Sequence, residues 1–381
     1  MNDLLLFLHG GALYVGVFLV VLTVLVFVHE FGHYLIARWN GVRIEVFSIG
    51  FGPELFGWWD RAGTRWKFSA IPLGGYVKMF GDSDASSSLA APGGERLSDA
   101  DREVSFPCKR LGQRAAIVAA GPLANFVFAI LVLALLFMTY GQPFTPPDVG
   151  QVMPGSAAAA GGIQAGDVIV RIDGQPVDRF EDVQQVVQLN PNVTMPLAVR
   201  RDGKLVTLHV TPKLVTETDR LGTHHIGQLG IRGGPPRYVQ RGPASAVANA
   251  AGETWNLTAT TMQALWQMVV GRRGTGELGG PIRIAELSGE VAQLGMAPLL
   301  SLVAMLSVNL GLINLFPVPV LDGGHLAFYA AEAVRGRPLG QRAQEYGFRL
   351  GLALVLTLMV FATWNDLVHS GIVDIVKRFV T

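Results

Sequence analysis

The sequence predicts a polytopic α-helical membrane protein of four transmembrane helices, with a β-hairpin between the first two and one β-rich domain inserted between the second and third. Three observations predict this class. Charged residues make up only 15% of the 381-residue chain and AVILMFWYC 50%, whereas ordinary soluble domains carry about 25% charge. The charges are unevenly spaced, leaving uncharged runs from Leu4 to Val28, Ala115 to Pro147, Val291 to Leu321 and Leu350 to Asn365. Between the second and third runs, short Val/Ile-rich segments are broken by Gly and Asp turns. The balance of 30 Lys+Arg against 29 Asp+Glu, a net charge of +1, argues against a nucleic-acid partner, which selects a basic excess. The lone Cys108 excludes an internal disulfide and any multi-cysteine zinc or iron–sulfur site.

A helix needs about 20 mostly apolar residues to cross a bilayer, so residues 1–37 read as the first span. Asp3, the absence of Lys or Arg before the apolar run and the lack of a small-x-small site at its end distinguish it from a cleaved signal peptide. Residues 38–112 form the next region, in which WKFSAIPLGGYVKMF at 66–80 alternates around Gly74 and Gly75 and reads as a hairpin turning there. A Ser/Ala/Gly-rich loop is expected around 83–94. The second span covers 113–140, and the β-rich domain 141–235. Its strand segments are GQVMP, GDVIVRIDGQPV, MPLAVRRDGKLVTLHV and HIGQLGI, with Arg201-Asp202-Gly203 as a hairpin signal. Residues 236–295 read as an amphipathic, interfacial stretch carrying Trp255 and Trp266, or equally as a plain linker. The third span covers 296–321, a loop 322–348, the fourth span 349–369 and a tail 370–381.

Basic residues near spans mark the cytoplasmic side. Eleven Lys/Arg lie in 38–114, and Arg335, Arg337, Arg342 and Arg349 lie between the last two spans, against none in 1–28 or 115–170. Both clusters are therefore placed in the cytoplasm, with the N-terminus, the β-rich domain and the C-terminus opposite; Lys377 and Arg378 mildly oppose this.

The first span ends in His29-Glu30-Phe31-Gly32-His33. Residues four apart on a helix differ by about 40° in azimuth and about 6 Å in height, so both imidazoles point to a common place and can hold one zinc ion. Glu30 follows the first of them and is placed to act as general base on water. Such residues at the end of an uncharged run are costly in hydrocarbon and face an internal cavity with partners. A catalytic zinc takes three protein ligands, and Asp322, after Pro317 and Pro319 have opened the helix backbone, is the candidate third.

Four segments together resemble a known family: HEFGH, Asn314-Leu-Phe-Pro-Val-Pro-Val-Leu-Asp322-Gly-Gly, IPLGGYVKM at 71–79 and AGPLANF at 120–126. Their order is similar to that of the site-2 protease family of intramembrane zinc metalloproteases, in particular the bacterial regulators of intramembrane proteolysis. The resemblance implies one Zn2+ per chain on His29, His33 and Asp322, with Glu30 as the catalytic glutamate of peptide hydrolysis. It also implies that Asn314, and Asn309 beside it, position substrate or donate to the oxyanion, hydrogen bonding between helices being the other reading of both. The segment containing Gly74 and Gly75 is then a membrane-associated β-hairpin whose edge pairs with an unwound substrate. Residues 154–174 look like part of a bacterial protease PDZ domain, one such domain rather than the two of many relatives. That domain either filters substrates by size or only stabilises the fold.

The implied partners are the lipid bilayer and single-span substrates, either anti-sigma factors or remnant signal peptides, with an upstream site-1 protease acting first. The implied location is the bacterial inner membrane, with the β-rich domain periplasmic and the active site toward the cytoplasm. Two other readings stand beside it. A scaffold with a structural metal calls for a damaged Glu30, which is intact; a transporter calls for symmetric broken helices, which the sequence lacks.

Overall fold

The computed structural model describes residues 2–82, 98–219, 222–235, 237–270 and 279–369. The loop expected at 83–94 and the tail at 370–381 lie outside the described residues. The chain forms two compact units, one of residues 1–134, 247–262 and 278–381, the other of 135–246 and 263–277.

Helix α1 (Asn2–Trp39) is continuous because a helix satisfies its own backbone where water is absent. It stops where the Asn40 side chain donates to Ile36 O at 2.8 Å and Gly41 adopts φ 70°, a left-handed end that glycine permits. Strands β1 (Ile44–Trp59) and β2 (Arg65–Met79) follow. Their connection is built on Asp60, whose Oδ1 accepts the amides of Ala62 and Thr64, both at 2.9 Å. Burial pushes the Asp60 carboxyl up, but the Thr64 amide, the Trp66 indole and the Tyr34 hydroxyl together hold it below the usual carboxylate range.

The hairpin therefore turns at 60–64, not at Gly74-Gly75, which lies inside β2. Gly74, at φ 138°, passes against the Phe51 ring, and a Cβ on Gly75 would come within 2.7 Å of Ser48 O and 2.9 Å of Val26. The two glycines mark close backbone approach rather than a reversal. Val46 to Ile49 pair on one side with 75–78 and on the other with 65–68, so the long strands fold over into a small sheet. Phe47, Ile44, Val77 and Met79 of this sheet close a core with Ala37, Phe106, Ile117 and Val118.

Helix α2 (Asp99–Val104) is capped by Ser98, whose Oγ accepts the Asp101 amide. Helix α3 (Leu111–Thr139) contains Pro122. The β-rich unit comprises β3 (Gln142–Phe144), β4 (Val149–Val152), α4 (Ala157–Ala160), β5 (Val168–Ile172), β6 (Gln175–Pro176) and α5 (Phe180–Leu189). It continues with β7 (Met195–Arg201), β8 (Lys204–Val210), β9 (Lys213–Asp219), β10 (Gly222–Gln228), β11 (Ile231–Gly233) and β12 (Arg237–Val239). A four-stranded sheet runs in the order β6-β5-β7-β8, and the pairs β9–β10, β4–β11 and β3–β12 are antiparallel. Asp202 and Gly203 between β7 and β8 have φ 50° and 78°, the two positive values that a tight hairpin turn requires. Ile169, Ile172, Val183, Leu197 and Val199 fill the core.

The ion pair of Asp167 with Arg201 anchors this unit. Asp167, 1% exposed, accepts from Arg201 Nε and Nη2, both at 2.7 Å, and from the Gln164 amide at 2.9 Å. Its hydrogen bonds to Arg201 hold its carboxyl below the usual range. A carboxyl depressed in the folded state adds stability above its unfolded pKa of about 3.9 and loses it as pH falls through the lower folded value. The melting midpoint of Asp167→Asn is therefore expected below that of the parent at neutral pH. The gap should close as pH drops below about 4, which circular-dichroism melts at several pH values would read.

Helix α6 (Pro243–Val269) contributes its residues 247–262 to the first unit, which is completed by α7 (Pro281–Gln293), α8 (Met296–Asn314), α9 (Asp322–Arg335) and α10 (Gln341–His369). The α7 N-terminus is closed by Asp366 of α10, which accepts the Gly280 and Arg283 amides at 2.8 and 3.1 Å. Helix α8 ends at Asn314, seven residues before the expected boundary of 321, because Pro317 and Pro319 cannot continue it. The expected loop 322–348 contains helix α9, and the last helix begins at Gln341 rather than 349. Among the described residues, four helices are long and apolar enough to cross a membrane, Leu13–Trp39, Leu111–Thr139, Met296–Asn314 and Arg342–Leu367.

Candidate active site

His29, Glu30 and His33 lie in the last three turns of α1, and Asp322 is the first residue of α9. The chain reaches Asp322 through the irregular segment Leu315–Leu321, where the two prolines leave the backbone free to fold back. Gly323 and Gly324 allow that return, since a Cβ on either would overlap backbone of residues 315–319. Asp322 Oδ2 then lies 3.1 Å from His29 Nε2 and 3.4 Å from His33 Nε2, and the two Nε2 atoms are 3.3 Å apart.

These three ligand atoms lie close enough together to hold one metal ion. A tetrahedral ion with bonds of about 2.0–2.1 Å holds its ligand atoms about 3.3–3.4 Å apart; two of the three separations, 3.3 and 3.4 Å, match this and the third, 3.1 Å, is slightly shorter. Asp322 Oδ2 is buried without a hydrogen-bond partner, and a buried orphan acceptor calls for a donor or a cation. His33 Nδ1 donates to Ile117 O at 2.9 Å, leaving its Nε2 lone pair toward the common point. The donor set fits zinc.

Glu30 borders the same cleft, of about 180 Å³, with Gly75 to Val77 of β2, Asn314 and His325. The absent side chain of Gly75 lets the strand pass close over Glu30, whose Cγ lies 3.2 Å from the position a Cβ would take. Of the residues singled out from sequence, the structure gathers His29, Glu30, His33, Asp322, Asn314 and Gly75 around one cleft. Gly74 packs on Phe51 instead. Asn309 stands apart, its Oδ1 accepting from Thr261 of α6 at 3.2 Å. Five residues before Asn314 on a helix is about 140° around the axis, so Asn309 makes a bond between helices rather than facing the cleft.

Sequence reasoning missed what AGPLANF does. Gly121 leaves room for the His33 ring, which a Cβ there would overlap. Pro122, inside α3, lacks the amide that would bond the carbonyl four residues back, next to the Ile117 carbonyl that His33 uses. Asn125, fully buried, meets His29 Nδ1 at 3.1 Å. The available signal was an amide in a span without charge, where polar groups are retained for partners. Arg114 of α3 holds α9, and with it Asp322, through Glu332 at 2.6 Å, with its guanidinium 4.9 Å from the Tyr329 ring centroid. Burial pushes the Tyr329 phenol up to about 12.

The chain matches Peptidase family M50 over residues 17–358. It is 49% identical to a protein of Rhizobium meliloti (strain 1021) named as a candidate zinc metalloprotease, over 92% of this chain and 95% of that one. It is 42% identical to Metalloprotease MmpA of Caulobacter vibrioides, over 92% and 94% of the two chains. Among solved structures it is similar to the PDZ domain of the SdrC-like protein of Listeria innocua, at 22% identity and a TM-score of 0.20, covering 25% of this chain and 99% of that one. The chain belongs to peptidase family M50, the site-2 protease family that its HEFGH and Asn-Leu-Phe-Pro-Val-Pro-Val-Leu-Asp segments resemble.

Proposed function

We propose that this multi-pass M50 peptidase is a zinc endopeptidase that hydrolyses peptide bonds of single-span membrane proteins within or beside the bilayer. The observation that carries the reading is the convergence of His29, His33 and Asp322 on one point in a cleft shared with Glu30. Zinc bound by those three side chains supplies Lewis acidity toward the scissile carbonyl and makes water nucleophilic near neutral pH.

The chain's own groups do the rest. Glu30 takes a proton from the attacking water and delivers it to the leaving amine. Asn314 offers its side-chain amide to the developing oxyanion. Gly75, Tyr76, Val77 and Met79 of β2 border the cleft and pair with β1, and an extended substrate adding to this strand as a further one would expose its peptide groups to Glu30.

The family resemblance supports, as substrate, a transmembrane segment shortened by an earlier protease, from an anti-sigma factor or a remnant signal peptide. The β-rich unit, PDZ-like in its Pro154–Gly174 sequence, serves as a size filter on the periplasmic side. The termini share that side, and the active site lies toward the cytoplasm of a bacterial inner membrane. A tagged single-span substrate with a short ectodomain, incubated in membranes with this chain, tests the reading. Cleavage in or next to the span should stop with a zinc chelator and return with added zinc. Cleavage indifferent to chelation would overturn it.

A further inference from the structure

A histidine that binds a metal through Nε2 must carry its proton on Nδ1 and place it on an acceptor. For His33 the acceptor is the Ile117 carbonyl, at 2.9 Å. For His29 the group at Nδ1 is the carboxamide of Asn125, at 3.1 Å. The amide presents either its nitrogen or its oxygen, two ends of the same shape, and the choice decides the histidine's chemistry. Nitrogen toward Nδ1 leaves the His29 proton on Nε2, the atom 3.1 Å from Asp322 Oδ2, and occupies the lone pair a metal needs. Oxygen toward Nδ1 reverses this.

We propose that Asn125 is a positioning residue that sets the tautomer of His29: its Oδ1 accepts Nδ1–H and so holds the Nε2 lone pair toward the metal. The inference rests on the zinc reading above and adds a residue from the second span to the site's supporting shell. Three features fix the side chain for this task. Asn125 is fully buried, so water does not compete for Nδ1–H. Its backbone carbonyl accepts from Ser307 of α8 at 2.9 Å. Gly311 lets α8 approach so closely that an added Cβ would lie 3.2 Å from the Asn125 Cβ. Asn125 Oδ1 is, moreover, a buried oxygen without a hydrogen-bond partner while the nitrogen faces His29, and turning the amide over satisfies it.

The test measures zinc affinity rather than turnover, by competition with a chromogenic chelator on the full-length chain in detergent micelles. Asn125→Asp keeps the shape and only accepts, so it is expected to bind zinc at least as tightly as the parent. Asn125→Leu keeps the bulk and accepts nothing, and Asn125→Ala removes the group without adding volume. Both are expected to weaken binding by about 10–100-fold, the usual effect of losing a metal ligand's outer partner. A purely structural role for Asn125 would lower all three variants together, and that outcome overturns the proposal, as does parental affinity in both Leu and Ala variants. A parent chain that binds no zinc would overturn the zinc reading as well, which sets the two failures apart.

Discussion

Glu30→Gln is expected to retain zinc and to lose peptide hydrolysis by at least about 10²–10⁴-fold, the range that a positioned general base contributes. The substitution keeps the length and planarity of the side chain. It places no added bulk against Gly75, where a Cβ would lie 3.2 Å from the residue-30 Cγ. Fold and metal site should therefore stand while the proton acceptor is gone. The measurement is cleavage of a single-span substrate by parent and variant at equal expression, beside metal analysis of both purified proteins. Loss of product with zinc retained assigns Glu30 to chemistry. Equal cleavage by both would place the activity in other residues, and joint loss of zinc and activity would make Glu30 a structural part of the site.

Much of this site was legible because its chemistry is local in sequence. His29, Glu30 and His33 are brought together by helical periodicity alone, and no tertiary contact is needed to see that they share a face. Asp322 was legible for a different reason. A carboxylate ending a 31-residue uncharged run is expensive unless it meets a partner at that depth. Asn309 and Asn314 could not be told apart by type, and only the helix phase, set by where α8 ends, sends one to Thr261 and the other to the cleft. The β2 glycines were misread as a turn because a Gly-Gly pair signals reversal and close approach alike. What decides is the neighbour, here α1 at Val26 and Glu30, which is remote in sequence. The turn at 60–64 rests on Asp60, whose side chain bonds the amides of Ala62 and Thr64, a local signal of the kind Asp supplies.

The small residues of α3 lead to the other large effect. Gly121→Ala is expected to weaken zinc binding by about 5–150-fold, the equivalent of the roughly 1–3 kcal/mol that an extra methyl costs in a packed interior. The added methyl would overlap the His33 ring around its Nε2, the atom that stands 3.4 Å from Asp322 Oδ2. His33 is tied on its other side to Ile117 O, and Gly32, the residue before it, is itself packed against Ala120 and Ala124. The imidazole has no free direction in which to yield. Relief must come from rotating the ring away from the common point or from parting α1 and α3, and either moves a ligand atom out of range. Helicity should not suffer, since Ala favours a helix over Gly by about 1 kcal/mol. Chelator competition and a thermal melt on the same sample separate the two effects: affinity should fall while the melting midpoint without zinc changes little. Gly112→Ala serves as the control, because a Cβ at Gly112 in the same helix meets nothing within 4 Å. If both alanines leave zinc affinity at the parental value, the contact between Gly121 and His33 does not constrain the ligand. If only Gly121→Ala lowers it, the AGPLANF segment is part of the metal site although it supplies none of the proposed ligands.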